Sequence, residues 1–358
     1  MPLQSAAGGR LGYDGRRMNR QIRLKSRPVG MPTADNFERV DAPMPSAADG
    51  DVLRRTLFLS LDPYMRGRMS DAPSYAPPVN LGEVMCGHTV SEIVDSHHPA
   101  FRPGDIVAGY DGWQQFASGP AKDLRKLDAG GVPPSTAIGV LGMPGFTAYI
   151  GLYDIGQPKA GDTGVVSAAS GAVGSIVGQL AKIRGCHAVG VAGSREKCDY
   201  VVRELGFDAC VNYKSGDLAG ELAHACPSGV DVYFENVGGA VFAAVLKILN
   251  RGARIPLCGL ISEYNATENP AGPNLRPLLV HRAMIKGFIV SDHYDRFPAF
   301  LGEVTPLVRN GNIKFREDIV DGLDAAPAAL IGVFEGRNFG KMLVRVSDSE
   351  RQRPASGR

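Results

Sequence analysis

The feature that most constrains the fold is a short apolar run leading directly into a glycine-spaced turn. Val165 to Ala169 have the composition of a buried strand, and Gly171, Gly174 and Gly178 follow at GxxGxxxG spacing. Glycines at such a turn let the backbone approach a pyrophosphate, which the N–H groups of a helix N-terminus then hold. The usual first glycine is replaced by Ala169. Small residues at a turn can also reflect close packing alone, so the dinucleotide interpretation depends on the flanking chain.

The flanking chain supplies that support. From residue 162 onward, Val- and Ala-rich runs alternate with helical stretches, which is typical of βαβ units around a parallel sheet. The predicted strands are 165–169, 188–192, 209–213, 230–236, 254–259 and 285–291. The predicted helices are 173–184, 195–205, 218–226, 240–249 and 296–309. The order predicts a doubly wound Rossmann domain that binds a dinucleotide.

The rest of the chain has a different character. The first third contains short apolar runs between Pro and Gly turns, which predicts a β-rich domain, and 358 residues suffice for two domains. Residues 313–346 return to short strand-like runs and are expected to rejoin the first domain. Residues 1–17 are predicted to be a flexible extension without the apolar core of a signal peptide, and 348–358 a polar tail.

Charge and cysteine usage narrow the partners and the compartment. Lys plus Arg (39) nearly balance Asp plus Glu (37), which gives no electrostatic reason to expect nucleic acid or an anionic membrane as partner. Runs of 18 apolar residues are absent, so no transmembrane helix is expected. The six cysteines are scattered singly, which favours reduced thiols and a cytoplasmic location.

The end of the second predicted strand indicates which dinucleotide binds. NAD enzymes place an acid about 20 residues beyond the glycine motif to hold the ribose 2′-hydroxyl. Here residues 192–197 read AGSREK. Lys197 or Arg195 is suited to pair with a 2′-phosphate; the alternative is that both are solvated charges on the first turn of a helix, where the dipole disfavours them. We therefore predict NADPH/NADP+ as the cofactor.

Six long motifs occur along the chain in a characteristic order. They are LDPYMRGRM at 61–69, LGMPGFTAY at 141–149, AASGAVG at 168–174, ENVGG at 235–239, ISEYN at 261–265 and NFGK at 338–341. With them, residues 18–346 resemble the medium-chain dehydrogenase/reductase superfamily, and within it the zinc-independent, NADPH-dependent double-bond reductases. That group includes prostaglandin reductases and plant 2-alkenal reductases. The bacterial curcumin reductases are the most similar, through MSD at 69–71, PPV at 77–79 and DIGQPK at 154–159.

The resemblance implies a fold and a set of site residues. The α/β fold would have a GroES-like, β-rich catalytic domain split between 18–140 and 310–347, and a Rossmann domain at 141–309 with a parallel six-stranded sheet. It also implies a homodimer. The cofactor residues it implies are Gly171, Ala172, Val173 and Gly174 at the pyrophosphate; Lys197 and Tyr213 at the 2′-phosphoadenosine; Asn236, Cys258, Gly259 and Tyr264 along the path of the cofactor; Phe288, Ile289 and Val290 beside the nicotinamide; and Asn338, reaching back from the C-terminal segment.

His88 raises the question of a metal. It lies in a Gly-His-Thr sequence at the position where zinc alcohol dehydrogenases have Gly-His-Glu, and the cysteine expected upstream is missing. A catalytic zinc site needs three protein ligands. We therefore predict no metal, with His88 packed or solvated.

Two tyrosines are the candidate catalytic residues. Reducing an enone requires hydride at the β-carbon and, without a metal, a hydrogen-bond donor at the developing enolate oxygen. Tyr264 follows a strand on the carboxyl side of the sheet, and the resemblance places its hydroxyl near the substrate carbonyl. Tyr64 is similar to a second substrate-contacting tyrosine of the family. For each, the alternative is a half-buried aromatic residue with its hydroxyl at the surface.

The predicted function is NADPH-dependent reduction of the carbon–carbon double bond of small enals and enones, such as 2-alkenals and curcumin-like compounds. One alternative is an NADPH-dependent quinone or carbonyl reductase. Another is a redox sensor that binds NADPH without turnover.

Overall fold

The computed structural model describes residues 18–128, 131–268 and 270–347. The extension predicted at 1–17 and the tail predicted at 348–358 lie outside the described residues. Within the described part of the chain, the structure contains no helix long and apolar enough to cross a membrane.

The strands and helices are numbered in chain order. The strands are β1 (Met18–Leu24), β2 (Phe37–Pro43), β3 (Asp51–Ser60), β4 (Thr89–Ser96), β5 (Ile106–Gly109), β6 (Phe116–Pro120), β7 (Arg125–Lys126), β8 (Thr163–Ser167), β9 (His187–Ala192), β10 (Ala209–Asn212), β11 (Val230–Phe234), β12 (Leu249–Leu257), β13 (Met284–Gly287), β14 (Glu317–Asp321) and β15 (Lys341–Arg345). The α-helices are α1 (Met65–Arg68), α2 (Met143–Ile150), α3 (Gly174–Ile183), α4 (Arg195–Arg203), α5 (Leu218–Ala225), α6 (Gly239–Val245), α7 (Arg276–His281), α8 (Phe297–Arg309) and α9 (Ala326–Phe334).

The predicted Rossmann sheet is confirmed. Six strands lie in the order β10-β9-β8-β11-β12-β13, all parallel, so the chain starts in the middle and winds outward in both directions. The apolar side chains of its central strands are buried because helices cover both faces of the sheet. Gly178 lets α3 pack closely on this core: a Cβ atom there would lie 1.8 Å from the ring of Phe207.

Three predicted elements have a boundary that is wrong by several residues. The strand predicted at 254–259 begins at Leu249, because the backbone becomes extended there and Leu249 pairs with Val230 before a register shift. The helix predicted at 240–249 is correspondingly shorter, with α6 followed by a single 3₁₀ turn at Leu246–Ile248. The strand predicted at 285–291 stops at Gly287, because a 3₁₀ helix over Val290–Arg296 takes up the rest of the apolar run.

The second large sheet unites the two ends of the chain. Its order is β14-β15-β3-β4-β5-β7, with β6 also paired to β3. The C-terminal strand β15 lies antiparallel to β3, with Leu343 opposite Ser60 and Arg345 opposite Phe58. This pairing brings the C-terminal segment beside the N-terminal strands and places Lys341 close to the segment that carries Tyr64.

Candidate active site

A cleft of about 1100 Å³ runs along the carboxyl ends of the parallel strands and reaches the antiparallel sheet. Its wall includes every residue predicted for the site: Tyr64, Gly171, Ala172, Val173, Gly174, Lys197, Tyr213, Asn236, Cys258, Gly259, Tyr264, Phe288, Ile289, Val290 and Asn338. The structure therefore brings the predicted residues together, while their individual roles stay predictions.

The turn between β8 and α3 is held in a tight, unusual conformation. Ala168 adopts a left-handed backbone (φ 53°), which an L-residue other than glycine rarely does. A Cβ atom on Gly174 would lie 2.4 Å from the carbonyl oxygen of Ala168, so only glycine fits at the start of α3. Gly171 also forms a parallel β-bridge with Gly340. The turn therefore presents a cradle of small residues at a helix N-terminus, which fits a pyrophosphate.

The ends of β9 and β10 form a cationic corner of the cleft. Ser194 caps α4, accepting a hydrogen bond from the backbone N–H of Lys197 at 3.2 Å. Burial and the nearby ammonium of Lys214 lower the pKa of Lys197. The Tyr213 ring lies against Gly193, where a Cβ atom would be 3.1 Å from it. Two neighbouring ammonium groups beside an aromatic ring fit a 2′-phosphoadenosine.

The two cations that the sequence left open for this corner lie in different places. The Nζ atom of Lys197 lies at the cleft and donates to the carbonyl oxygen of Gly336 at 2.7 Å. Arg195 is exposed and does not line the cleft. Lys214 does line the cleft and was not among the predicted residues, because its position after β10 gives no separate motif.

A buried carboxylate organises the next turn. Glu235 is fully buried, and its side chain accepts hydrogen bonds from the hydroxyls of Ser167 and Tyr233 and from the backbone N–H groups of Val237 and Gly238. These bonds fix the backbone of Asn236, whose side-chain amide donates to the carbonyl oxygen of Ser167 at 2.9 Å. Glu235 is therefore a positioning residue for this part of the cleft.

Tyr264 is held closely against the end of β12. Its hydroxyl lies where a side chain on Gly259 would be, since a Cβ atom there would be 2.8 Å from the phenolic oxygen. Burial, assisted by the nearby Cys258 thiol, raises the pKa of Tyr264 to about 12. The phenol is thus a neutral hydrogen-bond donor throughout the physiological range.

Tyr64 lies on the wall that the antiparallel sheet contributes. Its hydroxyl donates to that of Tyr110 at 3.3 Å, and the Arg68 guanidinium lies 5.8 Å from its ring centroid and 4.6 Å from that of Tyr75. Burial, and then the nearby carboxylate of Asp62, raise the pKa of Tyr64 well above its ordinary value. Tyr110 and Tyr75 enlarge the phenolic surface beyond the two predicted tyrosines.

A buried ion pair between Lys341 and Asp62 holds the segment that carries Tyr64 in place. The Nζ atom of Lys341 donates to a carboxylate oxygen of Asp62 at 2.8 Å and to the carbonyl oxygen of Leu61 at 2.7 Å. Both charged side chains are about 5% exposed. Buried charges require such partners. Since Lys341 begins β15, the pair holds this C-terminal strand against the loop that carries Tyr64.

His88 packs among aromatic rings at the cleft. Its ring centroid lies 4.7 Å from that of Tyr110, edge to face, and its buried Nδ1 atom has no hydrogen-bond partner within the described ranges of the chain. Burial lowers the pKa of His88, which favours the neutral imidazole. Among the residues that the structure describes, no three His, Cys, Asp or Glu side chains form a group that could hold a metal ion. The absence of zinc from the working enzyme stays a prediction.

Comparison with known proteins places this arrangement in a family. A family model described as the N-terminal domain of oxidoreductase matches residues 20–127, and one described as zinc-binding dehydrogenase matches residues 172–305. The NADPH-dependent curcumin reductase of Escherichia coli (strain K12) is 52% identical, over 93% of this chain and 98% of that protein. The NADP(+)-dependent 2-alkenal reductase of Nicotiana tabacum is 42% identical, over 92% of this chain and 98% of that protein.

A solved structure agrees with these relatives. The crystal structure of CurA in complex with NADPH from Vibrio vulnificus superimposes with a TM-score of 0.88 at 52% identity, covering 92% of this chain and 99% of that one. The family and the fold predicted from the motifs are therefore confirmed. The chain belongs to the medium-chain dehydrogenase/reductase superfamily, in the group that contains the curcumin and 2-alkenal reductases.

Proposed function

We propose that this protein reduces the carbon–carbon double bond of α,β-unsaturated ketones and aldehydes with NADPH. The observation that carries the proposal is that a dinucleotide cradle, a cationic corner and two half-buried phenols line one continuous cleft. The related curcumin and 2-alkenal reductases, whose names state this cofactor and these substrates, support the same conclusion.

Different residues of the cleft would bind different parts of the cofactor. The turn from Gly171 to Gly174 would hold the pyrophosphate, while Lys197 and Tyr213 would hold the 2′-phosphoadenosine. Phe288 and the two residues after it would form an apolar wall beside the nicotinamide, and Asn338 would approach from the C-terminal segment. When bound, NADPH supplies the hydride that reaches the β-carbon of the substrate.

The phenols would stabilise the negative charge that develops on the substrate oxygen. The Tyr264 hydroxyl would donate a hydrogen bond to the substrate carbonyl oxygen, and that bond would strengthen as the oxygen becomes an enolate. Tyr64, with its hydroxyl bonded to Tyr110, would contact the substrate from the opposite wall. The surrounding apolar residues exclude water and so increase the strength of both interactions.

The decisive experiment measures NADPH consumption with curcumin, 2-alkenals, simple enones and quinones, and identifies each product. Reduction of an enone to the saturated ketone, with the carbonyl retained, is the expected result. An allylic alcohol would instead establish a carbonyl reductase, and turnover confined to quinones would establish a quinone reductase. NADPH binding without turnover of any of these compounds would favour the redox sensor.

We also propose that the protein is a homodimer. Strand β13 is an edge of the parallel sheet, and all four of its residues are exposed. Beside it, α7 and its flanks expose Leu275, Leu279 and Val280. An edge strand with free backbone groups next to an apolar patch is suited to pair with another strand. A second copy, related by a two-fold axis, presents the matching edge.

The cytoplasm is the compartment we propose. All six cysteines are free thiols in the structure, as expected where glutathione and thioredoxin keep thiols reduced. The near balance of 39 basic and 37 acidic residues favours neither nucleic acid nor a membrane as a partner. We therefore propose only small substrates and a second copy as partners.

A further inference from the structure

Two cysteines that are separate in the sequence meet in the Rossmann domain. Cys198 lies on α4 and Cys210 on β10, and their sulfur atoms are 2.9 Å apart, with the Cys210 thiol donating to Cys198. From this geometry we propose that Cys198 and Cys210 are a dithiol modification site, which hydrogen peroxide converts to an intramolecular disulfide that weakens NADPH binding.

The two sulfurs need only a small movement to form a bond. A disulfide has sulfur atoms about 2.05 Å apart, so the two sulfurs need to approach by about 1 Å. Gly190, which pairs with Cys210 on the neighbouring strand β9, has no side chain to occupy this layer; a Cβ atom there would lie 3.2 Å from the sulfur of Cys210 and 2.7 Å from the Cβ atom of Ala169. Cys198 is about 8% exposed and Cys210 is half-buried, which admits a small oxidant.

The acidity of Cys198 distinguishes it from the other buried cysteines and from Cys210, whose pKa the same hydrogen bond raises. The hydrogen bond from Cys210 lowers the pKa of Cys198, whereas burial raises the pKa of Cys226 to about 11 and that of Cys258 to about 12. Because the thiolate is the reactive form, oxidation is expected to begin at Cys198.

The reaction balances with peroxide as the oxidant. The Cys198 thiolate attacks one peroxide oxygen, the O–O bond breaks, and a sulfenic acid forms while the leaving hydroxide takes up a proton to become water. The Cys210 sulfur then attacks the sulfenic sulfur, the S–O bond breaks, and the thiol proton leaves with that oxygen as a second water. Two thiols are oxidised, and one peroxide is reduced to two waters.

The position of the pair connects it to the cofactor corner. Cys198 directly follows Lys197 in the first turn of α4, and Cys210 lies three residues before Tyr213. A covalent link between α4 and β10 shifts these two elements relative to each other, and with them the two side chains proposed to hold the 2′-phosphoadenosine. This consequence rests on the proposed NADPH function, whereas formation of the disulfide does not.

The test treats the full-length protein with hydrogen peroxide, blocks remaining thiols with N-ethylmaleimide, and maps peptides by mass spectrometry. We expect a linked pair of peptides containing Cys198 and Cys210, a loss of two hydrogen atoms from the protein, and full reversal by dithiothreitol. NADPH titration by fluorescence should show a several-fold rise in Kd after oxidation. Cys198→Ser and Cys210→Ser should abolish both changes, and Cys226→Ser, the matched control at a buried thiol elsewhere, should retain them.

Two results would overturn the proposal in separate ways. Failure to link the two peptides, or irreversible oxidation of one cysteine alone, would rule out the dithiol. A disulfide that forms but leaves the Kd for NADPH unchanged would remove the effect on cofactor binding.

If a serine variant does not fold, the corresponding alanine variant, Cys198→Ala or Cys210→Ala, replaces it, because alanine introduces no polar group into an apolar site. A reduced protein that does not bind NADPH would contradict the proposed function, not the disulfide.

Discussion

At the residue scale, Lys197 is the side chain that we propose to distinguish NADPH from NADH. Lys197→Ala should weaken NADPH binding by about 10- to 100-fold, because a hydrogen bond to a charged group contributes roughly 1.5–3 kcal/mol. NADH, which lacks the 2′-phosphate, should bind with nearly unchanged Kd in a fluorescence titration. Arg195→Ala is the matched control, since Arg195 is exposed and outside the cleft. Equal losses for both cofactors would exclude Lys197 from the phosphate site.

Tyr264 carries the second prediction at this scale. Tyr264→Phe should lower kcat with an enone by about 100-fold, as expected when one donor to a developing oxyanion is removed. The Kd for NADPH should stay constant, and Tyr153→Phe, outside the cleft, should be neutral. A kcat equal to that of the wild type would remove Tyr264 from the mechanism.

The pH dependence of the wild type follows from the same phenol. With its pKa raised to about 12, the protonated donor persists at every pH below that value and is lost only as the pH rises through it. Ionisation of Tyr264 should therefore cause no fall in kcat between pH 7 and about 10, the range in which an unperturbed tyrosine would begin to ionise. An alkaline fall near pH 9 that Tyr264→Phe abolishes would contradict the assigned environment.

The sequence predicts those site residues that lie in motifs or at strand ends. Gly171, Lys197 and Tyr264 are examples, because a βαβ pattern defines where parallel strands end and therefore which turns meet. Tyr110 and the Cys198–Cys210 contact are not predictable in this way. They depend on how the antiparallel sheet faces the cleft and on how α4 packs over β10, and neither leaves a local pattern.

At the scale of elements, the segment after β12 is held in place from the antiparallel half of the molecule. The Arg66 guanidinium donates to the side-chain oxygen of Asn265 at 3.0 Å and to the carbonyl oxygens of Pro28 and Gly30 at 3.3 and 3.0 Å. Tyr264 directly precedes Asn265, so this contact connects the orientation of the phenol to both halves of the cleft.

Asn265→Ala should therefore lower kcat/KM for an enone by about tenfold while the Kd for NADPH stays constant, since misplacement of a catalytic group is costly. Asn265→Asp keeps the accepting oxygen and should retain most of the activity. In a double-mutant cycle, the losses from Arg66→Lys and Asn265→Ala should be less than additive, because both changes remove the Arg66–Asn265 hydrogen bond, while Arg66→Lys also disturbs the bonds to the carbonyl oxygens of Pro28 and Gly30. Additive losses would show that the two residues act separately.

Element boundaries are less predictable than element types. The alternation of apolar runs with helical stretches predicts the six parallel strands. However, β12 begins at Leu249, five residues earlier than predicted, and β13 ends at Gly287, four residues earlier than predicted. After Gly287 the apolar run continues through a change of backbone geometry, whereas β12 begins on Leu249-Asn250-Arg251-Gly252, a stretch without strand-like composition. Local composition is therefore uninformative, and pairing with the neighbouring strand decides where each strand begins or ends.

At the scale of the whole molecule, the exposed edge of the parallel sheet leads to the last prediction. The two edge strands differ: β13 is exposed along its length, whereas β10 is partly or fully buried throughout. Next to β13, Leu279 is 79% exposed and lies beside other exposed apolar residues. A cluster of exposed apolar side chains of this kind is unusual on a protein surface. Pairing of β13 with its copy would join two six-stranded sheets into one and cover this patch.

Leu279→Glu should convert a dimer into a monomer without unfolding it, because two copies of the introduced carboxylate would be buried near the symmetry axis. Analytical ultracentrifugation across micromolar concentrations measures the change in mass, and circular dichroism checks that the fold is retained. Ile183→Glu is the matched control: Ile183 is 48% exposed at the end of α3, which packs on β8 and β9 and not at the β13 edge of the sheet, so the variant should remain a dimer. A monomeric wild type, or a dimer that survives Leu279→Glu, would exclude this edge as the interface.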